Sequence, residues 1–353
     1  MQTKRLDTSP AAIALAATLI RRGELVAFPT ETVYGLGGHA LDEQAVQAIF
    51  TAKGRPASDP LIVHLADRRD LPHVAASIPP LAAQLAATFW PGPLTLIVPR
   101  HPQVPLAVTA GRETVAVRVP AHPVAQALLQ AAEVPVAAPS ANRFGHTSPT
   151  TADHVLADLN GRIAAVIDGG PTPIGIESTV LDCTTTPPTL LRPGGVSLET
   201  LTALIGPIEV HRSFKTDTDE TQGLVSPGLL ERHYAPDHEL WLFSGRPEVA
   251  RAHLRAEAEQ ALASGMRIGL LLPEEDLALM RDLPAEVESL GPTADPEAMA
   301  RRLYAALRAL DERKPDRMFA RDFDDTGLGR ALRDRLRRAA TRVIVIDGEE
   351  RTA

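Results

Sequence analysis

A chain of 353 residues is too long for one ordinary hydrophobic core, so two domains of roughly 100 to 200 residues each are expected. With 44% hydrophobic and 23% charged residues, the composition is that of a folded globular protein and excludes disorder over most of the length. The formal net charge of -8 argues against extended nucleic-acid binding, whose affinity comes from Lys and Arg neutralising phosphates.

The opening MQTKRLDTSPAAIALAATLIRRG carries charge and an early proline and has no continuous apolar stretch. It reads as an amphipathic helix with Ser9 as N-cap and Pro10 at the first helical position, not as a secretion signal. No run of about 18 apolar residues follows, so a cytoplasmic protein without membrane contact is expected.

From Gly23 to about Arg192, short β-type runs (ELVAF, LIVHL, LTLIV, VAVRV, VPVAA, AAVID, STVLDC) alternate with helical stretches such as LDEQAVQAIF and HPVAQALLQAA. The pattern predicts an α/β domain on a large twisted sheet. Gly35, Gly37 and Ala40 match the dinucleotide-binding fingerprint, but the strand LVAF ends six residues earlier, whereas a pyrophosphate turn follows its strand directly. No Walker A sequence is present, so another element must hold any ATP phosphates. Cys183 is the only cysteine, which excludes an intrachain disulfide and a cysteine-based zinc site, and its apolar surroundings suggest a buried structural thiol.

Residues 206–237 are polar, lack periodicity and carry Gly and Pro punctuation, as expected of an interdomain linker or an active-site lid. A second alternation occupies residues 238–353, with strands LWLF, RIGLLL, VESLG, RMFARDF and RVIVI between helices, and predicts a small parallel sheet covered on both faces. Within it DFDDTG, Asp322 to Gly327, imitates a phosphatase nucleophile motif and an EF-hand opening. Arg333 stands where calcium wants a carboxylate, and a solvated loop capping the following helix fits better.

Four loop-like stretches each plant a charged or hydroxyl residue beside a strand, where α/β sheets place ligands: FPTETVYGLGGHA, TAKGRPASDPLIVHL, APSANRFGHTSPT, and IGIESTV with LLRPGG. Lys53 and Arg55 flank a Gly turn and pair a point charge with a planar fork, which suits a polyphosphate or makes a surface charge cluster. Ser140 and Asn142 emerge after VPVAA as ligand groups or as turn formers. Arg118 interrupts VAVRV and needs an anionic partner, either a structural carboxylate or a substrate. Arg192 precedes the exposed amides of Pro193-Gly194-Gly195.

Taken together, the words PTETVYGLG, KGRP before PLIVHL, FWPGPLTLI, VAVRVP, PSANRFG, GIESTV, LRPGG and the SPG and RHYAP of the linker resemble the Sua5/YrdC/YwlC family of threonylcarbamoyl-AMP synthases. The resemblance implies a YrdC-like catalytic domain with a large mixed sheet over residues 1–205. It further implies a linker and lid over 206–237 and a smaller Rossmann-like Sua5 C-terminal domain over 238–353. The implied activity joins L-threonine, bicarbonate and ATP, with Mg²⁺ carried on the nucleotide, to threonylcarbamoyl-AMP and pyrophosphate. A downstream threonylcarbamoyl transferase would use the product to modify a tRNA adenosine.

Residue by residue, the resemblance implies an active-site tetrad of Lys53, Arg55, Ser140 and Asn142. It implies threonine contacts at Thr32, His64, Arg118, Ala138 and Ser178, and ATP contacts at Arg55, Asp59, Thr114, Ser140, Ser148, Arg192 and Ser226. Arg232, His233 and Tyr234 belong to the lid, and no dedicated metal ligand is implied. The family commonly shows asparagine at the Asp59 position, and Leu230 and Glu231 replace a basic and an aromatic residue of its linker. Two other readings compete. One is an RNA-binding module without turnover, disfavoured by the acidic charge. The other is the carbamoyl-adenylating domain of hydrogenase maturation proteins, whose cysteine-rich zinc modules a single cysteine excludes.

Overall fold

The computed structural model describes residues 2–211 and 233–346. Ser226, Leu230, Glu231 and Arg232, and with them most of the expected linker, lie outside the described residues. By internal contacts the chain forms two units. The first comprises Met1–Phe144 with Ser148–Glu231, and the second comprises Gly145–Thr147 with Arg232–Ala353.

The first unit is built on an eleven-stranded mixed sheet. In spatial order the strands are Lys4–Leu6, Ala165–Ile167, Val26–Pro29, Tyr34–His39, Val136–Ala137, Ile62–His64, Thr114–Arg118, Leu94–Pro99, Thr179–Asp182, Thr189–Arg192 and Glu209–Val210. Alternation along Val26–Pro29 feeds both faces of the sheet. Val26 and Phe28 pack with Ile20 of helix Pro10–Arg21 and Leu128 of helix Pro123–Ala132. Ala27 joins Val46 and Ile49 of helix Glu43–Lys53 on the other face. Each large side chain fully buried in this way stabilises the sheet by about 1.5–3 kcal/mol.

Helix Pro10–Arg21 starts as its sequence predicts: Ser9 caps it by accepting from the Ala12 N–H, and Pro10 occupies the first turn, where a missing N–H costs nothing. The segment Tyr34–His39, read from its glycines as a loop, is instead a fully hydrogen-bonded strand. Its glycines admit close neighbours, since a Cβ on Gly37 would meet Phe28 Cε1 at 2.8 Å. That strand also contains Gly35 and Gly37, so the dinucleotide match forms no phosphate turn. Cys183 is buried, and burial ahead of the nearby Asp182 charge pushes its thiol up to about 12, the state of an inert structural residue.

The second unit carries a five-stranded, all-parallel sheet in the order Glu286–Gly291, Ile268–Pro273, Arg317–Arg321, Glu239–Ser244, Arg342–Val345. Phe243, Leu254, Leu270, Leu272 and Phe319 form its core on one face. The DFDDTG loop departs from expectation. Asp322 is buried, accepts from Ser244 Oγ at 2.8 Å, and pairs with Arg337 at 2.8 Å and Arg333 at 3.2 Å. The exposed Asp324, Asp325 and Thr326 form the solvated part. Among the described residues no helix is long and apolar enough to cross a membrane.

Candidate active site

Helix Glu43–Lys53 ends at Gly54, whose left-handed backbone (φ 66°) turns the chain between Lys53 and Arg55. The Lys53 ammonium is buried and donates to the carbonyls of Ser140 (2.5 Å) and Asn142 (2.6 Å), and Phe144 N–H donates to the Lys53 carbonyl (2.9 Å). Two loops far apart in sequence are thereby stitched together. Burial, and then the Arg55 charge, push the Lys53 ammonium well below its ordinary range, while Asp158 and Asp59 act against the shift.

Arg55 donates to the carbonyls of Asp59 (3.1 Å) and Pro60 (2.6 Å) and forms an ion pair with Asp59 at 2.9 Å. Asp59 is fully buried and held by charge, with no well-aligned hydrogen bond to its carboxylate. Burial raises its pKa against the pull of Arg55, Lys53 and Arg192. The carboxylate that stands where the family has asparagine therefore faces arginine.

The Ser140 loop is fixed by strand Tyr34–His39. Ser140 bridges Gly35, Leu36 N–H donates to the Pro139 carbonyl, and Ala141 N–H donates to the Tyr34 carbonyl. Asn142 is buried and donates to the Arg143 carbonyl at 2.7 Å.

The residues expected at threonine lie on contiguous strands. His64 stands opposite Arg118 in the parallel pair of Ile62–His64 with Thr114–Arg118, and Ala138 N–H donates to the Ile62 carbonyl. His64 is buried edge-on to Phe28. Burial and then the Arg118 charge lower its pKa to about 3, so it stays neutral at physiological pH. The Arg118 guanidinium donates to Thr32 Oγ1 (2.9 Å) and the Gly92 carbonyl (3.1 Å), and it contacts Glu31 at 2.6 Å. Of the two partners expected for Arg118, a structural carboxylate or a substrate, Glu31 supplies the first.

Ser178 shares a hydrogen bond with Thr95 (2.8 Å) and receives Arg192 at its carbonyl (3.0 Å) and its hydroxyl (3.2 Å). This contact depends on Gly194, where a Cβ would lie 2.4 Å from both the Glu177 carbonyl oxygen and the Thr179 nitrogen. Ser148 donates to Glu177 at 2.6 Å, a second buried acid absent from the expected set. Glu31 and Glu177 both sit in the Gly- and Pro-rich words, and a carboxylate in such a loop is the signal that could have found them. Thr114 opens its strand opposite Pro99, half-buried. His233 and Tyr234 pack into the second unit, with the Tyr234 ring beneath the Arg335 guanidinium (5.0 Å) and beside Tyr304.

Within the first unit Lys53 thus reaches the Ser140 and Asn142 loop, the charges of Arg55, Lys53 and Arg192 bear on Asp59, Arg118 holds Thr32, and Arg192 holds Ser178. A family model described as "Telomere recombination", covering Sua5, YciO and YrdC, matches residues 18–194. One described as "Threonylcarbamoyl-AMP synthase, C-terminal domain" matches residues 196–341. The chain belongs to the Sua5-type threonylcarbamoyl-AMP synthase family. Its relatives of that name include a Bacillus subtilis protein 48% identical over 96% of this chain and 95% of its own length. Another is a Pyrococcus abyssi protein 46% identical over 93% and 94%, respectively. The fold agrees with a crystal structure of P. abyssi Sua5 complexed with L-threonine, at a TM-score of 0.90 and 43% identity over 98% of this chain and all of the other.

Proposed function

We propose that the first unit combines L-threonine, bicarbonate and MgATP into threonylcarbamoyl-AMP and pyrophosphate, the activated group that a transferase then delivers to a tRNA adenosine. The observation that carries this reading is the stitching of the Lys53-Gly54-Arg55 turn to the Ser140-Ala141-Asn142 loop through the buried Lys53 ammonium.

Threonine's amine attacks bicarbonate carbon and water leaves, giving a carbamate. A carbamate oxygen then attacks the α-phosphorus of ATP, and the bond to pyrophosphate breaks. Negative charge moves between phosphoryl oxygens throughout, so fixed cations and orientation supply the catalysis. Lys53, Arg55 and Arg192 meet the phosphates, with Ser140, Asn142, Thr114 and Ser148 as hydroxyl and amide contacts. Asp59, expected at ATP, acts through Arg55.

Thr32, Arg118, Ser178, Ala138 and His64 hold threonine, whose carboxylate competes with Glu31 for Arg118. His64, neutral and buried, orients the substrate and is not a proton shuttle. Mg²⁺ enters on the nucleotide, because the one carboxylate among the expected ATP contacts is already engaged by Arg55. Both carbamate and adenylate decompose in water, so exclusion of solvent suits the chemistry.

Pyrophosphate release measured with each substrate omitted in turn tests the proposal. Release that needs threonine and bicarbonate together supports it. Retention of tRNA without such turnover would sink it in favour of an RNA-binding module.

A further inference from the structure

Outside the site just described, one group of metal-ligating side chains converges among the described residues: His146, Asp237 and Asp311, whose ligand atoms all lie within 4.8 Å of one another. All three belong to the second unit, into which Gly145–Thr147 is drawn by the Ala235 N–H bond to the Gly145 carbonyl and the parallel bridge of His146 with Ala235. His146 Nε2 stands 3.8 Å from Asp311 Oδ2.

Asp311 is held in place before any ligand arrives. It accepts from the N–H groups of Asp237 and His238, each at 3.0 Å, and from His238 Nδ1 at 2.7 Å. Hydrogen bonds of this kind orient a ligating carboxylate in metal sites and tune its basicity. His238 engages Oδ1 through both its N–H and its ring, and Oδ2, which accepts from the Asp237 N–H, faces His146. A dication set among the three side chains would be attracted to both carboxylates. The imidazole decides the class of ion, because Mg²⁺ and Ca²⁺ want oxygen donors alone whereas Mn²⁺, Co²⁺ and Zn²⁺ accept nitrogen.

We propose that His146, Asp237 and Asp311 form a structural site for one divalent transition-metal ion of the Zn²⁺ or Mn²⁺ class, supported by His238. Three protein ligands and solvent complete its coordination. The bound ion ties the Gly145–Thr147 segment to the entry of strand Glu239–Ser244 and to the last turn of helix Pro296–Glu312.

The full chain, stripped with a chelator and dialysed, is titrated calorimetrically with ZnCl₂ and separately with MnCl₂. Co²⁺ serves as an optical probe of imidazole and carboxylate ligation. One equivalent should bind, a rise in melting temperature should accompany it, and His146→Ala and Asp237→Asn should each weaken affinity by about tenfold or more. Asp237→Asn keeps the backbone N–H that Asp311 accepts, so it removes a ligand without removing the turn, and it decides the matter alone should His146→Ala fold poorly. Unchanged affinity in Asp237→Asn, substoichiometric binding, or no shift in melting would overturn the site and leave Asp311 as a hydrogen-bonded cap. Pyrophosphate release by the metal-stripped enzyme with MgATP reads the proposed reaction separately.

Discussion

Arg55 shows how a residue chosen for its chemistry also carries structure. From charge placement alone, Arg55→Ala should abolish turnover and leave the fold intact. The ion pair with the fully buried Asp59 alters that expectation, because removing one partner strands a buried carboxylate at a cost of about 3–5 kcal/mol. Thermal melts should find Arg55→Ala clearly destabilised, and the double variant Arg55→Ala with Asp59→Asn should recover most of the loss while staying inactive. Recovery of turnover as well would count against Arg55 as a phosphate ligand.

His64 offers a second test at this scale. Its folded pKa of about 3 lies below the ordinary 6.5, so the unfolded chain binds the proton more readily. Its contribution to stability is complete above pH 6.5 and falls as the pH drops toward 3, at up to about 1.4 kcal/mol per pH unit. His64→Gln should flatten the fall of melting temperature between pH 7 and pH 4.5 relative to the parent, a difference that a pair of pH-dependent melts reads directly.

At the scale of elements, the contact between Arg192 and Ser178 hangs on backbone approach at Gly194. Gly194→Ala forces apart atoms that would otherwise sit 2.4 Å from the new Cβ, so threonine binding measured by calorimetry should weaken by about tenfold or more and the melting point should fall. Wild-type affinity in that variant would show that the RPGG turn has no part in the pocket.

The same scale separates what could be read in advance from what could not. Strands of β-branched and aliphatic residues, such as Leu94–Pro99 and Ile268–Pro273, announce themselves, as do helices with Ser9 or Asp42 at the cap. Tyr34–His39 did not, because glycines with low strand propensity were selected there for tight packing against Phe28 and Val136, a tertiary demand invisible to local pattern. Lys4–Leu6 is too short to show a period, and its partner lies more than 150 residues away. Lys53, Ser140, Arg118 and Arg192 stood out by residue type beside strands, whereas Glu31 and Glu177 carried only the weaker signal of an acid inside a Gly- and Pro-rich loop, whose partners Arg118 and Ser148 lie far away in sequence.

Among the described residues each unit of the whole molecule has its own apolar packing, around Leu36 on one face and Phe28 on the other face of the first unit's sheet, and around Phe243 and Phe319 in the second unit. The chain's two tryptophans report on them separately, Trp90 in the first unit and Trp241 in the second. Asp322 links Ser244, Arg333 and Arg337 within the second unit, and its partly exposed partners reduce the cost of its loss to about 1–3 kcal/mol. Asp322→Ala should therefore lower the unfolding midpoint followed by Trp241 more than that followed by Trp90, each measured in a single-tryptophan background. Equal shifts would mean that the two cores melt as one.

The pairing of Lys4–Leu6 with Ala165–Ile167 has a consequence for how the chain is made. A ribosome adding about 5–20 residues per second needs roughly 8 to 30 s to travel from one strand to the other. Throughout that interval Lys4–Leu6 lacks its sheet partner, although helix Pro10–Arg21 can already pack on Val26, Phe28 and helix Pro123–Ala132. The sheet edge at Lys4–Leu6 therefore closes late, only after the returning strand Ala165–Ile167 has left the exit tunnel.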